Sequence, residues 1–326
     1  MIAWYHHRYH TLLAHRIVFT VMPRLPRFLH PLAALVTAAL FFLLLRQERR
    51  AVIRNLRTIR GRGGWRTVYA AYRVFYSFCD FIVSYCYVPR ADHAGLLAML
   101  SEADRGAPLI DTCLSRGAGL VVWTAHVGNW EFASRLLELH GRPVNVARLV
   151  ESGSAAEAML RGLMVNPNLR IVDLNDPLAS VQLLHALRRN EIVAIQGDRI
   201  HRRAGGLDVP FFGRNARFPV GPFLLAYMSG SPLLPGLVVR TGWLRYRVIM
   251  GEPILLSAAD DRETSIRQAL GQAAGFLEDL LRGWHHQWLN FYDFWDHGDS
   301  SPGLDPVFGT DPALVSQRWM DASPLP

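Results

Sequence analysis

Residues 119–132 read GLVVWTAHVGNWEF, and this stretch decides the fold. Its first seven residues are apolar apart from one threonine, which is typical of a strand buried on both faces. His126 follows the strand, and Gly128 and Asn129 make the turn into a helix that contains Glu131. The pattern predicts a strand–turn–helix unit, with polar side chains at the carboxyl end of the strand, where parallel sheets bind ligands.

Strands and helices alternate along the rest of residues 91–297. Further strands are predicted at 144–149, 169–174, 191–196, 233–240 and 244–254, and helices at 131–140, 152–163, 176–190, 218–229 and 264–282. This alternation indicates an α/β domain with a mostly parallel sheet flanked by helices. Residues 298–326 are rich in Pro, Asp, Ser and Gly, so we expect a flexible tail.

The first 90 residues have a different composition, which predicts a helical, membrane-associated segment. They hold 14 arginines and two acidic residues, a net charge of about +12, whereas the whole chain carries +8. Residues 31–45 form an uncharged apolar run, shorter than the roughly 20 residues of a membrane span. Residues 46–60 follow as an amphipathic basic helix. An anionic membrane surface is therefore the predicted partner rather than nucleic acid, and whether 31–45 spans or only lies in the membrane stays open.

Several enzyme classes are excluded by residues that the chain lacks. All 35 basic residues are arginine, so Schiff-base, pyridoxal-phosphate and P-loop chemistry is ruled out. The three cysteines form no C-x-x-C pair, and there is no H-E-x-x-H or G-x-S-x-G motif. No metal is predicted at the histidine pairs 6–7 and 285–286, and the pair 285–286, close to several tryptophans, is interpreted as packing or interfacial.

His126 and Glu131 are the predicted catalytic residues. The strand–turn–helix junction can turn both side chains toward one crevice. A carboxylate bonded to one imidazole nitrogen fixes the tautomer and makes the other nitrogen more basic. That nitrogen can then take a proton from an attacking hydroxyl. The alternative is a histidine that only caps a strand or a helix.

A second polar segment, QGDRIHRRAGGLDVPFFG at residues 196–213, follows another predicted strand. Arg199 stands just beyond the strand end and has the shape for bidentate phosphate contact, and Asp198 could hold it. Arg202 and Arg203 are interpreted as part of a solvated basic loop. The apolar residues 211–237 suit an acyl channel or ordinary core packing equally well.

These motifs together resemble the lysophospholipid acyltransferase superfamily. H-x-x-x-x-E after an apolar strand is followed by G-D-R and then by V-P-F-F-G-R-x-A-x-F-P-x-G-P. Within the superfamily, the chain is similar to the branch of lipid A late (lauroyl or myristoyl) acyltransferases and phosphatidylinositol mannoside acyltransferases. R-x-x-V-I-R-N-L at 49–56 and Q-W-L-N-F-Y-D-F-W at 287–295 resemble further stretches of that branch.

The resemblance implies a glycerol-3-phosphate acyltransferase-like α/β fold with a helical membrane anchor. It implies O-acyl transfer from an acyl-carrier protein or coenzyme A thioester to a hydroxyl of a lipid A-type or related lipid, without a further cofactor. His126 would be the general base and Glu131 its partner. Arg199 would bind phosphate, and Asp198, Arg148 and Asn129 complete the predicted substrate contacts. The implied location is the cytoplasmic face of a bacterial inner membrane.

Two other functions stay open. One is a membrane-surface protein without catalytic activity, and the other is an acyltransferase for a simple lysophospholipid. G-D-R stands where many lipid A enzymes have D-Q, and this resembles the mannoside branch more. The acyl length, the donor and the oligomeric state are not predicted.

Overall fold

The computed structural model describes residues 24–102, 106–150, 168–200, 205–256 and 261–295. Several predictions fall outside the described residues. They concern the helix at 152–163, Arg202 and Arg203, the histidine pair at 6–7 and the tail at 298–326.

The described residues form helices and strands in the predicted alternation. The α-helices are α1 His30–Leu44, α2 Arg46–Arg60, α3 Trp65–Ser84, α4 His93–Ala98, α5 Ala107–Leu114, α6 Trp130–Leu137, α7 Ala179–Arg188, α8 Gly221–Ser229 and α9 Arg262–Trp284. The strands are β1 Leu120–Thr124, β2 Val144–Arg148, β3 Leu169–Asp173, β4 Ile192–Gln196, β5 Gly206–Phe211, β6 Arg214–Pro219, β7 Leu233–Gly242 and β8 Arg245–Met250.

Six of the strands form one sheet, in the order β3-β2-β4-β1-β7-β8. The first five run parallel, and only β8 at one edge pairs antiparallel, with β7. The predicted α/β fold with a mostly parallel sheet and an amino-terminal apolar helix is confirmed.

Strands β1 and β4 are neighbours at the centre of the sheet. All five residues of β1 are buried, as are the first four of β4. The register pairs Leu120 with Ile192 at one end and Thr124 with Gln196 at the other. The loops that follow the two strands therefore emerge side by side, although 72 residues separate His126 from Asp198.

The amino-terminal helices α1 to α3 pack onto the same hydrophobic core as the sheet. Helix α2 buries Val52, Leu56 and Ile59, three members of its predicted apolar stripe. It ends at Gly61, whose positive φ of 63° lets the chain leave the helix in the left-handed conformation. Helix α1 turns its small residues Ala34 and Ala38 inward.

The opposite face of α1 is apolar and exposed. Its exposed large side chains are Leu32, Leu35, Val36, Leu40, Leu43 and Leu44. Residues Arg27–Leu44 form a helical stretch with a mean hydropathy of 1.8, long and apolar enough to cross a membrane. Length and composition are weak support for membrane association when taken alone.

The hairpin β5–β6 was not predicted from the sequence. Its two-residue turn consists of Phe212 and Gly213, both with positive φ (52° and 70°), as a type I′ turn requires. Phenylalanine is rare at positive φ. The turn therefore lacks the Asn-Gly sequence that usually indicates a two-residue hairpin. The helix predicted from 218 begins only at Gly221, because Phe218 and Pro219 complete β6.

Candidate active site

His126 and Asp198 meet at the carboxyl edge of the sheet. Each is the second residue after its strand, β1 or β4. The imidazole Nδ1 lies 2.7 Å from Oδ1 of Asp198, and the backbone N–H of His126 donates to Oδ2 at 3.1 Å. One carboxylate therefore holds both the ring and the main chain of the histidine.

Glycines bring the two loops this close. Gly128 has φ 64°, and a Cβ there would lie 1.9 Å from the carbonyl oxygen of Val238. A Cβ on Gly197 would lie 1.9 Å from Nε1 of Trp123. Any side chain at either position would force the loops away from the sheet, because backbone and a buried tryptophan fill the space.

Asp198 is fully buried and accepts a third hydrogen bond, from Nε1 of Trp288 at 3.0 Å. Burial alone would raise the pKa of Asp198. The charge and hydrogen bond of His126 when it is protonated at acid pH, the charge of Arg199 and the Trp288 bond outweigh burial and lower this pKa to about 2. The carboxylate is therefore ionised at neutral pH.

Burial and the charge of Arg199 lower the pKa of His126 below its usual 6.5, and the opposing effect of Asp198 does not offset them. The imidazole is therefore neutral at pH 7. An ionised carboxylate only accepts hydrogen bonds, so Nδ1 carries the proton and Nε2 presents a lone pair. The side chain is 18% exposed, so the ring is reachable from outside. This is the protonation state that a general base needs.

Glu131 lies in the first turn of α6, as predicted, and is buried. Its Oε1 accepts a hydrogen bond from the Tyr85 hydroxyl at 2.8 Å. The carboxylate bonded to the imidazole is Asp198, whereas the sequence led us to expect Glu131 there. The catalytic role of Glu131 stays a prediction.

Arg199 lies beside the histidine, at the position expected from the sequence. Its Nη2 donates to the carbonyl of Leu289 at 2.6 Å, and its guanidinium lies 6.0 Å from the ring centroid of Tyr292. Asp198 interacts with it electrostatically and raises its pKa, while burial lowers it more. The arginine thus adds positive charge next to the imidazole.

The other two predicted substrate contacts occupy different surroundings. Arg148 is the last residue of β2, the neighbour of β4, so it lies half-buried at the same sheet edge. Asn129 is buried: its Oδ1 caps α6 by accepting from the backbone N–H of Phe132, and its Nδ2 donates to Ser84 and Tyr246. These hydrogen bonds show that Asn129 stabilises the turn between β1 and α6.

The segment after α9 holds the site from the far side. The carbonyl of Gln287 accepts from the N–H of Gly128, and the N–H of Leu289 donates to the carbonyl of His126 at 2.8 Å. Trp288 completes the set through Asp198. In the sequence this stretch shows only a resemblance to the family, because no motif in it indicates which loop it contacts.

The family model for bacterial lipid A biosynthesis acyltransferases matches residues 2–291. The chain belongs to this family. His126, Asp198, Arg199 and Trp288 all lie within the matched range. The predicted resemblance to the lipid A and mannoside acyltransferase branch is therefore confirmed.

Two curated relatives come from Mycobacterium tuberculosis, strains CDC 1551 / Oshkosh and ATCC 25618 / H37Rv. Both are named phosphatidylinositol mannoside acyltransferase and are 32% identical to this chain over 151 residues. The match covers 45% of this chain and 47% of each relative, so it spans about half their length.

In this lipid A acyltransferase family member, two of the resembling motifs contact each other. Asn55 of α2 donates to the carbonyl of Tyr292 at 2.7 Å and accepts from the N–H of Phe294 at 3.0 Å. Arg54 pairs with Asp293. The basic helix is thereby joined to the segment that holds His126 and Asp198.

Within the described ranges of this family member, no three or more His, Cys, Asp or Glu side chains are grouped as metal ligands would be. His286 is buried, and its ring centroid lies 6.0 Å from that of Trp284. Burial and the charge of Arg73 lower its pKa to about 3, so it packs as a neutral ring.

Proposed function

We propose that this chain transfers a fatty acyl group from a thioester to a hydroxyl of a lipid or glycolipid, with His126 as the general base. The observation that carries the proposal is the 2.7 Å bond between His126 and a buried, ionised Asp198 at the sheet edge. Membership of the lipid A biosynthesis acyltransferase family supports the reaction class. The mannoside acyltransferase relatives support a glycolipid acceptor.

The proposed chemistry follows from the protonation state. Nε2 of His126 accepts the proton of the acceptor hydroxyl while the oxygen attacks the thioester carbonyl. The imidazolium that forms is stabilised by the carboxylate of Asp198. It returns the proton to the departing thiolate as the tetrahedral intermediate collapses, which yields an ester and a free thiol. Since a thioester is already activated, no covalent enzyme intermediate is needed.

Arg199 is proposed to bind a phosphate or sugar-phosphate group of the acceptor. A guanidinium suits this because it offers paired N–H donors. Its bond to Leu289 and its contact with Tyr292 fix its direction beside the histidine. Its charge also helps to keep the resting imidazole neutral.

The proposed acceptor is lipid A-type or a related glycolipid, and the donor is an acyl-carrier protein or coenzyme A thioester. The second candidate acceptor is a simple lysophospholipid. The G-D-R sequence at 197–199 departs from the D-Q of many lipid A enzymes and resembles the mannoside branch more, which favours a mannoside-type glycolipid over lipid A itself. A non-catalytic membrane-binding protein has no need of an ionised Asp198 on a neutral His126.

The first test measures thioester consumption and lipid product with the purified full chain and a set of lipid acceptors. His126→Ala is expected to lower kcat by about 10²–10⁴ because it removes the base. The matched control is His185→Ala, since His185 is exposed on α7 away from the sheet edge. Unchanged turnover in His126→Ala, with its fold intact by circular dichroism, would end the proposal.

The proposed location is the cytoplasmic face of a bacterial inner membrane, with the exposed face of α1 against lipid. Leu40→Ser combined with Leu43→Ser should weaken binding to anionic vesicles about 10²–10⁴-fold, since each buried leucine contributes about 1.5–3 kcal/mol. Vesicle sedimentation measures the effect. Leu178→Ser is the control, because Leu178 is 58% exposed but precedes α7. Equal binding by all three proteins would place the membrane contact elsewhere.

A further inference from the structure

A basic cleft lies outside the His126 site, between α2, the β5–β6 hairpin and the end of the described chain. It has a volume of about 350 Å³ and is lined by Arg54, Arg57, Thr58, Arg214, Asp293 and Trp295. We name it the arginine cleft. Its volume is at the lower end of the range for small-molecule sites.

The charge of the arginine cleft is not balanced by its own residues. Asp293 pairs with Arg54. Among the described residues, neither Arg57 nor Arg214 forms an ion pair with a carboxylate. Two guanidiniums are therefore left to bind an anionic group in the cleft, and both can form charge-assisted hydrogen bonds to a phosphate ester.

The geometry of the cleft suits a phosphate ester better than a bare ion. Arg54 and Arg57 are three residues apart on α2, so they project from one face of the helix. Arg214 reaches the cleft from the hairpin, and its guanidinium lies 5.9 Å from the ring centroid of Trp295. Trp295 is largely buried and gives the cleft a small apolar edge, which only the organic part of an ester can contact.

The cleft is joined to the candidate active site by packed aromatic rings. Trp295 stacks on Phe211, with centroids 5.8 Å apart and planes at 23°. Phe211 meets Trp288 at 6.2 Å, and Trp288 donates to Asp198. The cleft therefore has a fixed position relative to His126, as a second attachment point for a reacting substrate must have.

We infer that the arginine cleft binds a phosphate ester carried by one of the two substrates of the proposed acyl transfer. This inference rests on the proposed function for the identity of those substrates. The phosphate can belong to the pantetheine-bearing donor or to the lipid acceptor. Both present the same chemistry to the arginines, so the experiment has one arm for each source.

The test measures binding by calorimetry with the full chain and without any acyl group. The donor probe is coenzyme A, compared with pantetheine, which has no phosphate. The acceptor probe is glycerophosphoinositol. The variant combines Arg57→Gln with Arg214→Gln, and it leaves the Arg54–Asp293 pair intact. Arg50→Gln, an exposed arginine of α2 that does not line the cleft, is the matched control.

The double variant should weaken one probe about tenfold or more, since charge-assisted hydrogen bonds to phosphate are lost. Arg50→Gln should leave that affinity unchanged. Loss with coenzyme A but not with pantetheine assigns the phosphate to the donor, and loss with glycerophosphoinositol assigns it to the acceptor. Unchanged affinity for both probes, or no binding of either probe to the unmodified protein, would overturn the inference.

Turnover provides an independent readout. The double variant should raise the KM of the substrate that carries the phosphate and leave kcat nearly unchanged, because the cleft does not touch the reacting atoms. If His126→Ala kept full turnover, the proposed function would fail while arginine-dependent binding could still be measured. The two failures are therefore distinguishable.

Discussion

Two buried carboxylates lie near the sheet edge, and their surroundings differ. Asp198 follows β4 and accepts three hydrogen bonds, two of them from His126. Glu131 lies in the first turn of α6 and accepts a hydrogen bond from Tyr85, a residue that follows α3. The comparison shows that strand pairing brought a distant carboxylate to the histidine, whereas short spacing along the chain did not supply the bonded partner.

Removal of the Asp198 charge should have the larger effect. In Asp198→Asn, the amide can donate to Nδ1 and so favour the tautomer with its proton on Nε2, which cannot act as a base. We expect kcat to fall about 10²–10⁴-fold with a smaller change in KM. Steady-state kinetics on the purified protein measures both values.

A control separates this effect from simple loss of structure. Trp288→Phe removes only one of the three donors to Asp198 and keeps an aromatic ring in place. Trp288→Phe should lower kcat much less than Asp198→Asn does. If Asp198→Asn retained most of its kcat, Asp198 would not be the residue that orients the base.

Most of the fold could be predicted, because a parallel sheet leaves strong local signals. β1 lies in a continuous apolar run, and α2 shows a clear apolar stripe between its arginines. The hairpin could not be predicted, because its turn places Phe212 at positive φ without the usual residue types. Local sequence patterns therefore predict most of the helices and strands but not this hairpin.

The candidate site was predicted less completely. His126 could be found because a polar residue directly follows a buried strand. Its bond to Asp198 depends on β4 lying next to β1, and strand order is a long-range property that no local pattern reports. Asp198 was predicted as a partner of Arg199 and as a substrate contact, but not as the partner of His126. Trp288 belongs to the Q-W-L-N-F-Y-D-F-W stretch that resembles the family, but the resemblance does not indicate which side chain the tryptophan contacts.

The second prediction concerns the other buried carboxylate, Glu131. Glu131→Gln keeps the shape of the side chain, and its amide oxygen can still accept from the Tyr85 hydroxyl. We expect kcat to change by less than about tenfold, well below the effect of Asp198→Asn. Tyr85→Phe, which removes the same hydrogen bond from the other side, is the matched variant.

The result at Glu131 decides between the two carboxylates. If Glu131→Gln lost as much kcat as Asp198→Asn, Glu131 would act in the reaction as the sequence alone predicted. Both Glu131→Gln and Tyr85→Phe could instead lower the thermal stability and retain kcat. That result would show that the Glu131–Tyr85 hydrogen bond stabilises the start of α6 and takes no part in the reaction.

The smallest expected effect is a displaced pH profile. The neutral imidazole is the active form, so kcat/KM is full above the pKa of His126 and falls as the pH drops through it. Burial and the charge of Arg199 lower this pKa, so the acid limb of kcat/KM should lie below pH 6.5, where an ordinary histidine is about half protonated. In Asp198→Asn, the acid limb of the residual activity should move to still lower pH, because the carboxylate is the group that raises the pKa of His126. Glu131→Gln should leave the limb nearly in place. An acid limb above pH 6.5 in the unmodified protein, or a shift with Glu131→Gln larger than with Asp198→Asn, would mean that the charges around the base are arranged differently from those seen at this sheet edge.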